Sequence, residues 1–573
     1  MDQVSFDYQK SENPVPPVLN NLSLSINEGE FVALIGQNGS GKSTLGKLLN
    51  ALIIPNTGRV FIRDMDTRES TNHSAIRRLV GMVFQRPQDQ IVATTVSEDI
   101  AFGPGNLGFT SKEIYQRMKE ALKLTGLAGY EERPSYLLSA GETQRVALAG
   151  VLAMRPSCII FDETTAMLDS SGREMVMQQA KALNSEGITI IFITHLMEEA
   201  VQADRVLVLQ RGQIVMDDSP AEIFSSESRI RSFGLDLPPA VLAANKLRSY
   251  FPSLPKNILH INDLLKNLPE YSGVKNAIDF VKPKGNTNPI SVSVKDLSHV
   301  YLRGTPLAHQ SLNDCNLQVA QGTTHGLIGA TGSGKSTLLQ HLNGLITPQS
   351  GKIDVLGSSL NDPKIDIKAL RKSVGLAFQQ PEDQIFEQFV GDEIAFAARN
   401  FAIEGRISDI VRSAMQVVGL DFEDFKDRLT STLSGGERRK VALASVLAGQ
   451  PQILLLDEPL AGLDPLSRRE ISTYFAKLKN DETTLIISTH QFEGAIELMD
   501  ELSVMARGRE LIHGTPGKVF SDASNLRASG IQSPLVTQIV MKLRDLKWPI
   551  FPEIVTLPEL ESSLSSLDLV GMI

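Results

Sequence analysis

Two segments of the chain carry residue types, at matching spacing, that bind phosphate groups in proteins. Each fits the pattern G-x-x-x-x-G-K-[ST], in which backbone amides surround phosphate oxygens at the start of a helix. The first segment is Gly36, Gln37, Asn38, Gly39, Ser40, Gly41, Lys42, Ser43 and Thr44, and the second is Gly329, Ala330, Thr331, Gly332, Ser333, Gly334, Lys335, Ser336 and Thr337. The two lysines would contact the β- and γ-phosphates of a nucleotide, and the serine after each lysine would offer a hydroxyl to Mg²⁺.

An Asp-Glu pair follows each phosphate segment. Asp162 and Asp457 end apolar stretches, where a carboxylate would lie close to a Mg²⁺ ion. Glu163 and Glu458 come next and could polarise an attacking water. Acidic residues often end buried strands, so their type alone indicates little. The constant spacing between these pairs and the phosphate segments is what indicates a shared site.

Small residues open two predicted helices between the phosphate segments and the Asp-Glu pairs. The residues concerned are Ser139, Gly141 and Glu142 in the first half and Ser434, Gly436 and Glu437 in the second. Serine with glutamate three residues later is a capping box, so the plain interpretation is a helix start without a ligand. The glycines, however, leave bare amides at a helix N-terminus, which favours an anion site.

These signals form an internal repeat. Lys42 and Lys335 lie 293 positions apart, and Gln85 and Gln379 lie 294 positions apart. Five further pairs are each separated by 295 positions: Ser139 and Ser434, Asp162 and Asp457, Glu163 and Glu458, Asp169 and Asp464, and His195 and His490. Chance does not preserve so many spacings in one order, so the chain contains a duplicated nucleotide-hydrolysing unit.

Composition narrows the class of protein. The 573 residues carry a net charge of −10 with a pI of about 5.6, which argues against broad binding to a nucleic-acid backbone. The longest apolar runs, such as 31–35, fall far below the ~20 residues that span a bilayer. We therefore expect a cytoplasmic chain that would serve a membrane by docking to it.

The repeat also predicts the domain organisation. Short apolar runs bounded by Gly or Asp indicate buried strands of a parallel sheet, and helical periods lie between them, so the fold class is α/β. A helical subdomain is inserted before each predicted anion site. We predict nucleotide-binding units at residues 1–230 and 285–525, an appendage with a linker at 231–284, and a second appendage at 526–573, both appendages being small and helical.

The motifs together resemble the ATP-binding cassette (ABC) superfamily. The resemblance rests on Leu-Ser-Gly-Gly-Glu at 433–437, the Leu-Asp turns at 168–169 and 463–464, and the Thr-His pairs at 194–195 and 489–490. It implies two tandem P-loop NTPase cassettes of the ABC type, each with a helical signature subdomain. We call residues 1–230 cassette 1 and residues 285–525 cassette 2.

The resemblance also implies site roles. Each ATP, with Mg²⁺, would lie between the phosphate segment of one cassette and the signature helix of the other. Lys42, Glu163 and His195 would share one ATP with Ser434 and Gly436, while Lys335, Glu458 and His490 would share the second with Ser139 and Gly141. Gln85 and Gln379 match glutamines that sense Mg²⁺, Asp169 and Asp464 lie in loops at the dimer face, and Tyr8 and Tyr301 match the aromatic that stacks on adenine.

One residue departs from the family pattern. Ala140 stands where the signature usually has glycine, and its methyl group could crowd the phosphate. Both cassettes keep the glutamate and the histidine. We therefore predict two hydrolytic sites, of which the second could be the slower.

The residues after Gln85 and Gln379 resemble a narrower group, the ATPases of energy-coupling factor (ECF) transporters, which import vitamins or transition-metal ions. In that group an acidic segment receives a transmembrane scaffold protein, and a separate membrane subunit binds the substrate. The matching positions here are Asp89, Gln90, Asp383 and Gln384, for which a merely solvated acidic turn is the alternative. The group normally uses two separate ATPase chains, whereas here both are fused, and association of two fused chains stays open.

Tandem cassettes of this kind would also suit two other functions. A tandem ATPase of another importer, such as a sugar system, would carry the same motifs. A soluble tandem ABC protein acting on ribosomes or DNA would be expected to have a Lys/Arg-rich arm or cysteine-rich inserts, and residues 204–289 have neither. The sequence does not identify a transported substrate.

Overall fold

A computed structural model of the chain describes residues 1–8, 17–166, 168–271, 288–305, 308–480, 483–492 and 494–567. They form two compact units. The first comprises Met1–Ala244 and Pro255–Leu264, and the second comprises Asn245–Leu254 and Leu265–Ile573. The boundary and linker predicted near residue 285 lie outside the described residues, so the four-part division stays a prediction. None of the helices described here is long and apolar enough to cross a bilayer.

The first unit is built on a six-stranded sheet of order β11-β10-β3-β9-β8-β7, in which only β11 runs antiparallel to its neighbour. A three-stranded sheet, β2-β1-β4, and a β5-β6 pair accompany it. The strands are β1 Asp2–Phe6, β2 Leu19–Leu22, β3 Phe31–Ile35, β4 Thr57–Arg59, β5 Phe61–Ile62, β6 Met65–Asp66, β7 Val80–Val83, β8 Cys158–Asp162, β9 Thr189–Ile193, β10 Arg205–Gln210 and β11 Gln213–Asp218.

Eleven α-helices are described between residues 17 and 271. They are α1 Lys42–Leu49, α2 His73–Leu79, α3 Val96–Asn106, α4 Ser111–Leu124, α5 Ala140–Ala153, α6 Ser170–Ser185, α7 Met197–Ala200, α8 Pro220–Ile223, α9 Glu227–Ser232, α10 Pro239–Leu247 and α11 Ile261–Lys266. Helices α3, α4 and α5 pack around their own apolar cluster and form the predicted helical subdomain.

The second unit repeats the plan with a sheet of order β17-β18-β19-β14-β20-β21, again with only its last strand antiparallel, and a second sheet, β13-β12-β15-β16. Its strands are β12 Ile290–Tyr301, β13 His309–Ala320, β14 Thr324–Ile328, β15 Ser350–Val355, β16 Ser358–Ser359, β17 Val374–Ala377, β18 Ile453–Asp457, β19 Thr484–Thr489, β20 Glu501–Ala506 and β21 Arg509–Gly514. Its helices are α12 Lys335–Leu342, α13 Ile367–Ser373, α14 Val390–Asn400, α15 Ile407–Val417, α16 Phe422–Phe425, α17 Gly435–Leu447, α18 Pro465–Asn480, α19 Pro516–Ser521, α20 Ala523–Ala528, α21 Leu535–Asp545 and α22 Leu557–Ser565.

The predicted α/β class is confirmed. The sheet topology also explains why the candidate site residues lie close together. Strands β3, β8 and β9 are nearly wholly buried, as central strands of a parallel sheet must be. Because parallel strands end at the same edge, the segments that follow β3, β8 and β9 converge there. The same holds for β14, β18 and β19 in the second unit.

Both appendages contain helices, as predicted. Gly234 and Gly530, which correspond in the repeat, follow short helices with φ of +70° and +74°. Glycine adopts this left-handed conformation without a steric penalty, so it ends a helix readily. Within the second unit, Trp548, the single tryptophan of the chain, packs against Phe251 and Tyr271 at ring-centroid distances of 5.0 Å each.

The second unit also has a polar network, buried at its inner end, where the first unit is apolar. The imidazole of His325 on β14 is fully buried, and its Nε2 lies 2.8 Å from the hydroxyl of Ser503 on β20. That hydroxyl donates to Glu510 on β21, and the ring of His513 stacks on His325 with centroids 5.5 Å apart. At the positions corresponding to His325, Ser503 and Glu510, the first unit has Val32, Leu207 and Ile214.

Replacing His325 with valine should flatten the acid side of the pH-stability curve of the second unit. Burial, helped by His513, lowers the pKa of His325 to about 3 from the ordinary 6.5. Between these two pH values the unfolded chain therefore binds more protons than the folded chain. As the pH is lowered, the free energy of unfolding decreases by up to about 1.4 kcal/mol per pH unit. The pKa of His513 is raised, so His513 stays protonated over most of this range and adds little slope.

Urea unfolding at several pH values between about 4 and 6.5, followed by Trp548 fluorescence, measures this slope. The control is His309→Val on the exposed edge of β13, which should keep the wild-type slope. Equal slopes for the wild type and His325→Val would contradict the prediction.

Candidate functional site

The phosphate segment of cassette 1 links β3 to α1. Gly39 and Gly41 have φ of +78° and +105°, and a Cβ atom on Gly41 would lie 2.9 Å from the carbonyl oxygen of Val18, so glycine is required there. The Nζ atom of Lys42 donates to the carbonyl oxygens of Gly36 and Gln37, each at 3.0 Å. The lysine is therefore held over its own loop.

Cassette 2 repeats this arrangement between β14 and α12. The Nζ atom of Lys335 donates to the carbonyl oxygens of Gly329 and Ala330 at 2.7 and 3.2 Å. Gly332 and Gly334 have φ of +80° and +102°, nearly the values of their counterparts in cassette 1. Both loops thus present backbone amides and a lysine at the start of a helix, which is a phosphate-binding geometry.

A hydroxyl and a carboxylate meet beside each loop. The Oγ atom of Ser43 donates to Oδ1 of Asp162 at 2.9 Å, and burial raises the pKa of Asp162 to about 6. Ser336 likewise hydrogen-bonds Asp457, whose pKa burial also raises. A divalent cation here would favour the charged carboxylate that burial disfavours.

The donor set suits Mg²⁺ bound together with a nucleotide. Mg²⁺ takes oxygen ligands and is usually held by one or two carboxylates plus substrate phosphates. Across the described ranges no three His, Cys, Asp or Glu side chains converge as a metal site. The hydroxyl and carboxylate pairs therefore fit a magnesium ion completed by phosphate oxygens.

The glutamate after each buried strand has a strained backbone. Glu163 and Glu458 both have φ of +48°, in the left-handed region that non-glycine residues seldom adopt, and both are buried. Their amides donate to the carbonyl oxygens of Ile193 and Ser488 on the neighbouring strand. Such strain costs about 1–3 kcal/mol and persists where the surroundings fix it, often at functional sites.

The two glutamate side chains are held differently. In cassette 1 the Nε2 atom of Gln85 donates to Oε2 of Glu163 at 2.9 Å, while Nδ1 of His195 lies 3.8 Å from that oxygen. In cassette 2 the Nδ1 atom of His490 lies 2.8 Å from Oε1 of Glu458. Burial opposes the charge of Glu458, but His490 and Lys335 together outweigh it, and the pKa of Glu458 is lowered.

Lys42 and Lys335 reach the same glutamates. Their Nζ atoms lie 3.4 Å and 3.8 Å from the Oε1 atoms of Glu163 and Glu458. The structure thus gathers the predicted lysine, serine, aspartate, glutamate and histidine within each cassette. Gln379 differs from Gln85, because its contact with this region is made by its backbone carbonyl, which accepts from Arg439 at 2.9 Å.

The predicted adenine-stacking tyrosines flank the phosphate segments. The hydroxyls of Tyr8 and Tyr301 lie 3.3 Å from the Oγ1 atoms of Thr44 and Thr337. Tyr8 and Tyr301 are 55% and 37% exposed, so both residues are accessible to a base.

The signature segments form capped helices. Ser139 and Ser434 cap α5 and α17, and each makes a complete capping box with Glu142 or Glu437. A Cβ atom on Gly436 would meet nothing within 4 Å, so the space beside this helix start is open. The predicted anion contact stays a prediction.

Asp169 and Asp464 act as helix caps within their own cassettes. The Oδ1 atom of Asp169 accepts from the amide of Gly172 at 2.9 Å, and Oδ1 of Asp464 accepts from the amide of Ser467 at 2.9 Å. Their role at a dimer face is not tested by these contacts.

The predicted partner-binding segments form short 3₁₀ helices at Pro87–Asp89 and Pro381–Asp383. The Oε1 atoms of Gln90 and Gln384 accept from the amides of Phe84 and Phe378, each at 3.2 Å, so these glutamines brace the loop internally. Asp89 and Asp383 are exposed instead. Sequence reasoning missed the apolar side chains beside them, Val92 and Phe386, which are 62% and 63% exposed.

Sequence reasoning also missed Arg439 on the signature helix α17. Its guanidinium is buried and donates to the carbonyl oxygens of Glu458 and Gln379, each at 2.9 Å. Burial lowers the pKa of Arg439 to about 10. Cassette 1 has Gln144 at the corresponding position. This difference between the two repeats is the sequence feature from which a special role of Arg439 could have been inferred.

Comparison with known proteins identifies the family. The model of the ABC transporter family matches residues 19–166 and 312–461, more than half of the chain. The chain belongs to the ABC transporter family. It is therefore an ABC ATPase that binds and hydrolyses ATP and carries two tandem cassettes, as the motifs predicted.

Individual relatives cover either the whole chain or one half of it. A Methanosarcina acetivorans protein, provisionally named as an ABC transporter ATP-binding protein, is 33% identical over 99% of this chain and 93% of its own length. The energy-coupling factor transporter ATP-binding protein EcfA1 of Symbiobacterium thermophilum is 50% identical over 46% of this chain and 94% of its own length. The solved structure of cbiO1 from Clostridium perfringens, part of the ABC transporter complex cbiONQ, is 33% identical, covers 42% of this chain and 94% of that one, and has a TM-score of 0.37.

Replacing Arg439 with glutamine, the residue of cassette 1, should slow hydrolysis at cassette 2 about tenfold and change nucleotide affinity little. The change removes two hydrogen bonds that hold the backbone at Glu458 and Gln379, and small misplacements of catalytic groups are costly. Single-turnover hydrolysis in a Glu163→Gln background measures cassette 2 alone.

The matched control is Lys440→Gln on the same helix. Lys440 pairs with Glu470 and contacts neither carbonyl, so its loss should leave the rate within about twofold. If the Arg439→Gln variant hydrolyses ATP as fast as this control, the two hydrogen bonds do not position Glu458.

Proposed function

We propose that the chain is the ATP-hydrolysing subunit of an ECF-type importer that takes up a vitamin or a transition-metal ion. The observation that carries the proposal is the exposed acidic and apolar turn, at 87–92 and 381–386, that follows Gln85 and Gln379. Asp89 with Val92, and Asp383 with Phe386, would suit a partner that offers basic and apolar side chains. The 50% identity of one half to an EcfA1 protein supports the same function.

In this function the chain docks at the cytoplasmic face of the membrane. Its partners are a transmembrane scaffold protein, which contacts the two turns, and a separate membrane subunit that binds the substrate. The turns lie directly after Gln85 and Gln379, and Gln85 contacts Glu163. Movement of the scaffold would therefore reach the catalytic glutamate of cassette 1 through a single hydrogen bond.

We assign the site residues to steps of ATP hydrolysis. The phosphate segments and the two tyrosines bind ATP, and Ser43 with Asp162, or Ser336 with Asp457, hold Mg²⁺. The magnesium ion, when bound, would neutralise charge that develops on the phosphate oxygens. Each signature serine and its glycine would complete the ATP site of the other cassette.

The glutamates and histidines then handle the attacking water. Glu163 and Glu458 would accept a hydrogen bond from the water and orient it for in-line attack on the γ-phosphate. His490 holds the carboxylate of Glu458 directly, whereas Gln85 holds that of Glu163. The two sites are consequently expected to differ in rate.

Glu163→Gln and Glu458→Gln should each lower steady-state ATP turnover, and the double variant should reduce it by about 10²-fold or more, because the water loses its carboxylate. Glutamine preserves size, so nucleotide binding should persist. A single variant with wild-type turnover would show that its cassette is silent. Phosphate release measures the rate, and equilibrium binding of ATP serves as the control for folding.

Charge reversal at the two exposed aspartates should release the membrane partner. The tagged chain is co-expressed with the transmembrane scaffold protein of an ECF transporter and recovered in detergent. Asp89→Lys with Asp383→Lys should lower co-purification several-fold, since like charges would face each other. The ATPase rate of the isolated chain should not change.

The matched control is Glu186→Lys, an exposed acid beyond the end of α6. It should leave recovery of the scaffold unaltered. Equal recovery of the scaffold with the aspartate double variant and the wild type, or no association of the wild type with any ECF scaffold, would contradict the proposed function.

A further inference from the structure

The two adenine-facing tyrosines are supported by different residues. In cassette 1, Phe6 packs edge-on against Tyr8 with centroids 4.9 Å apart, and the buried Leu48 is part of the same apolar cluster. The corresponding positions in cassette 2, each 293 residues later, are His299 and His341. An apolar pair has thus been replaced by two imidazoles.

The replacement keeps the ring geometry. His299 packs edge-on against Tyr301 with centroids 4.6 Å apart, and His341 packs edge-on against His299 at 4.9 Å. The three rings form a stack that runs from helix α12 to the surface where a base would lie. His341 is wholly buried, and His299 is 6% exposed.

Hydrogen bonds fix the inner end of this stack. The Nδ1 atom of His341 lies 2.7 Å from the carbonyl oxygen of Thr337, which can only accept, so Nδ1 carries the proton. The Oγ1 atom of Thr337 contacts both the hydroxyl of Tyr301 and, at 2.7 Å, the hydroxyl of Ser311. Cassette 1 has Val18 in place of Ser311, so this polar support is also confined to cassette 2.

Each imidazole has one buried nitrogen that faces no hydrogen-bond acceptor in the described part of the chain. Among the described residues, His341 Nε2 and His299 Nδ1 are buried without a hydrogen-bond partner. The only other titratable group that acts on His341 is His299, and no described acid faces either ring. Burial lowers the pKa of both histidines, that of His341 to about 4. A second proton on Nε2 of His341 or on Nδ1 of His299 would therefore be a buried, unpaired charge.

We propose that His299 and His341 are positioning residues of cassette 2 that hold Tyr301 for the adenine ring only while both imidazoles are neutral. Protonation would expel a ring from the stack and release the tyrosine. Nucleotide binding then weakens on acidification at cassette 2 but not, by this route, at cassette 1. The inference rests on the proposed role of Tyr301 in stacking on adenine.

The experiment measures one cassette at a time in the full chain. Lys42→Ala disables cassette 1, so ADP carrying an N-methylanthraniloyl fluorophore reports cassette 2, and Lys335→Ala does the reverse. From about pH 7.5 to pH 4 the Kd at cassette 2 should rise at least about twofold more than that at cassette 1, because His341, with a pKa of about 4, is then half protonated and the neutral fraction falls in proportion. The comparison cancels titration of the nucleotide itself.

His299→Phe with His341→Leu installs the residues of cassette 1. This variant should bind with nearly wild-type affinity at pH 7.5 and lose the excess pH dependence. Parallel pH profiles for this variant and the wild type would overturn the inference. If the double variant does not fold, as judged by thermal unfolding, His299→Phe alone carries the same expectation, and Phe6→His with Leu48→His should confer pH dependence on cassette 1.

Tyr301→Ala separates this inference from the function on which it rests. If Tyr301→Ala leaves nucleotide affinity at cassette 2 unchanged, the assigned role of Tyr301 is wrong. If Tyr301→Ala weakens binding while the histidine variants keep the wild-type pH profile, the tyrosine role stands and only the positioning role of the histidines is wrong.

Discussion

Each cassette buries two adjacent carboxylates at the end of a parallel strand, and most of the site follows from that constraint. Two negative charges in a poorly solvated place must be neutralised, paired or protonated. In each cassette a lysine lies near the glutamate, and a serine hydroxyl hydrogen-bonds the aspartate. The backbone turn at the glutamate directs the two side chains apart. Bound nucleotide and magnesium would complete the balance, so the site suits a cation that binds together with phosphate groups.

The duplicated halves meet this constraint by different contacts. Glu163 relies on a glutamine, whereas Glu458 relies on a histidine and has a buried arginine at its backbone. Polar groups also replace apolar ones behind Tyr301 and around His325. The motifs have been retained while the layer beneath them has diverged. Two sites with the same reacting groups can therefore differ in rate and in their response to the solvent.

Much of this organisation could be predicted from the sequence. The apolar run before Asp162 gives a strand because it is buried on both faces. The glycines of the phosphate segments give a loop because their backbone angles exclude other residues. The signature serines give helix starts because the capping box is local.

Features that depend on contacts between residues distant in sequence could not be predicted from the sequence alone. Arg439 looks like a solvated charge in a row of charges, and only the packing of α17 shows that it is buried against two carbonyl groups. Gln90 and Gln384 were assigned to a partner surface, and the structure gives them internal hydrogen bonds. The histidines behind Tyr301 lie 42 positions apart in the chain, so no local pattern links them.

The packing of Trp548 has a consequence for how the two halves could be separated. Its indole N–H donates to the carbonyl oxygen of Pro269 at 2.7 Å, and its ring contacts Phe251 and Tyr271. The repeat assigns these three partners to the first half, yet they fold into the second unit. Scission between residues 272 and 287 would sever the covalent link and leave this aromatic contact in place, so the two fragments would be expected to remain associated until denatured.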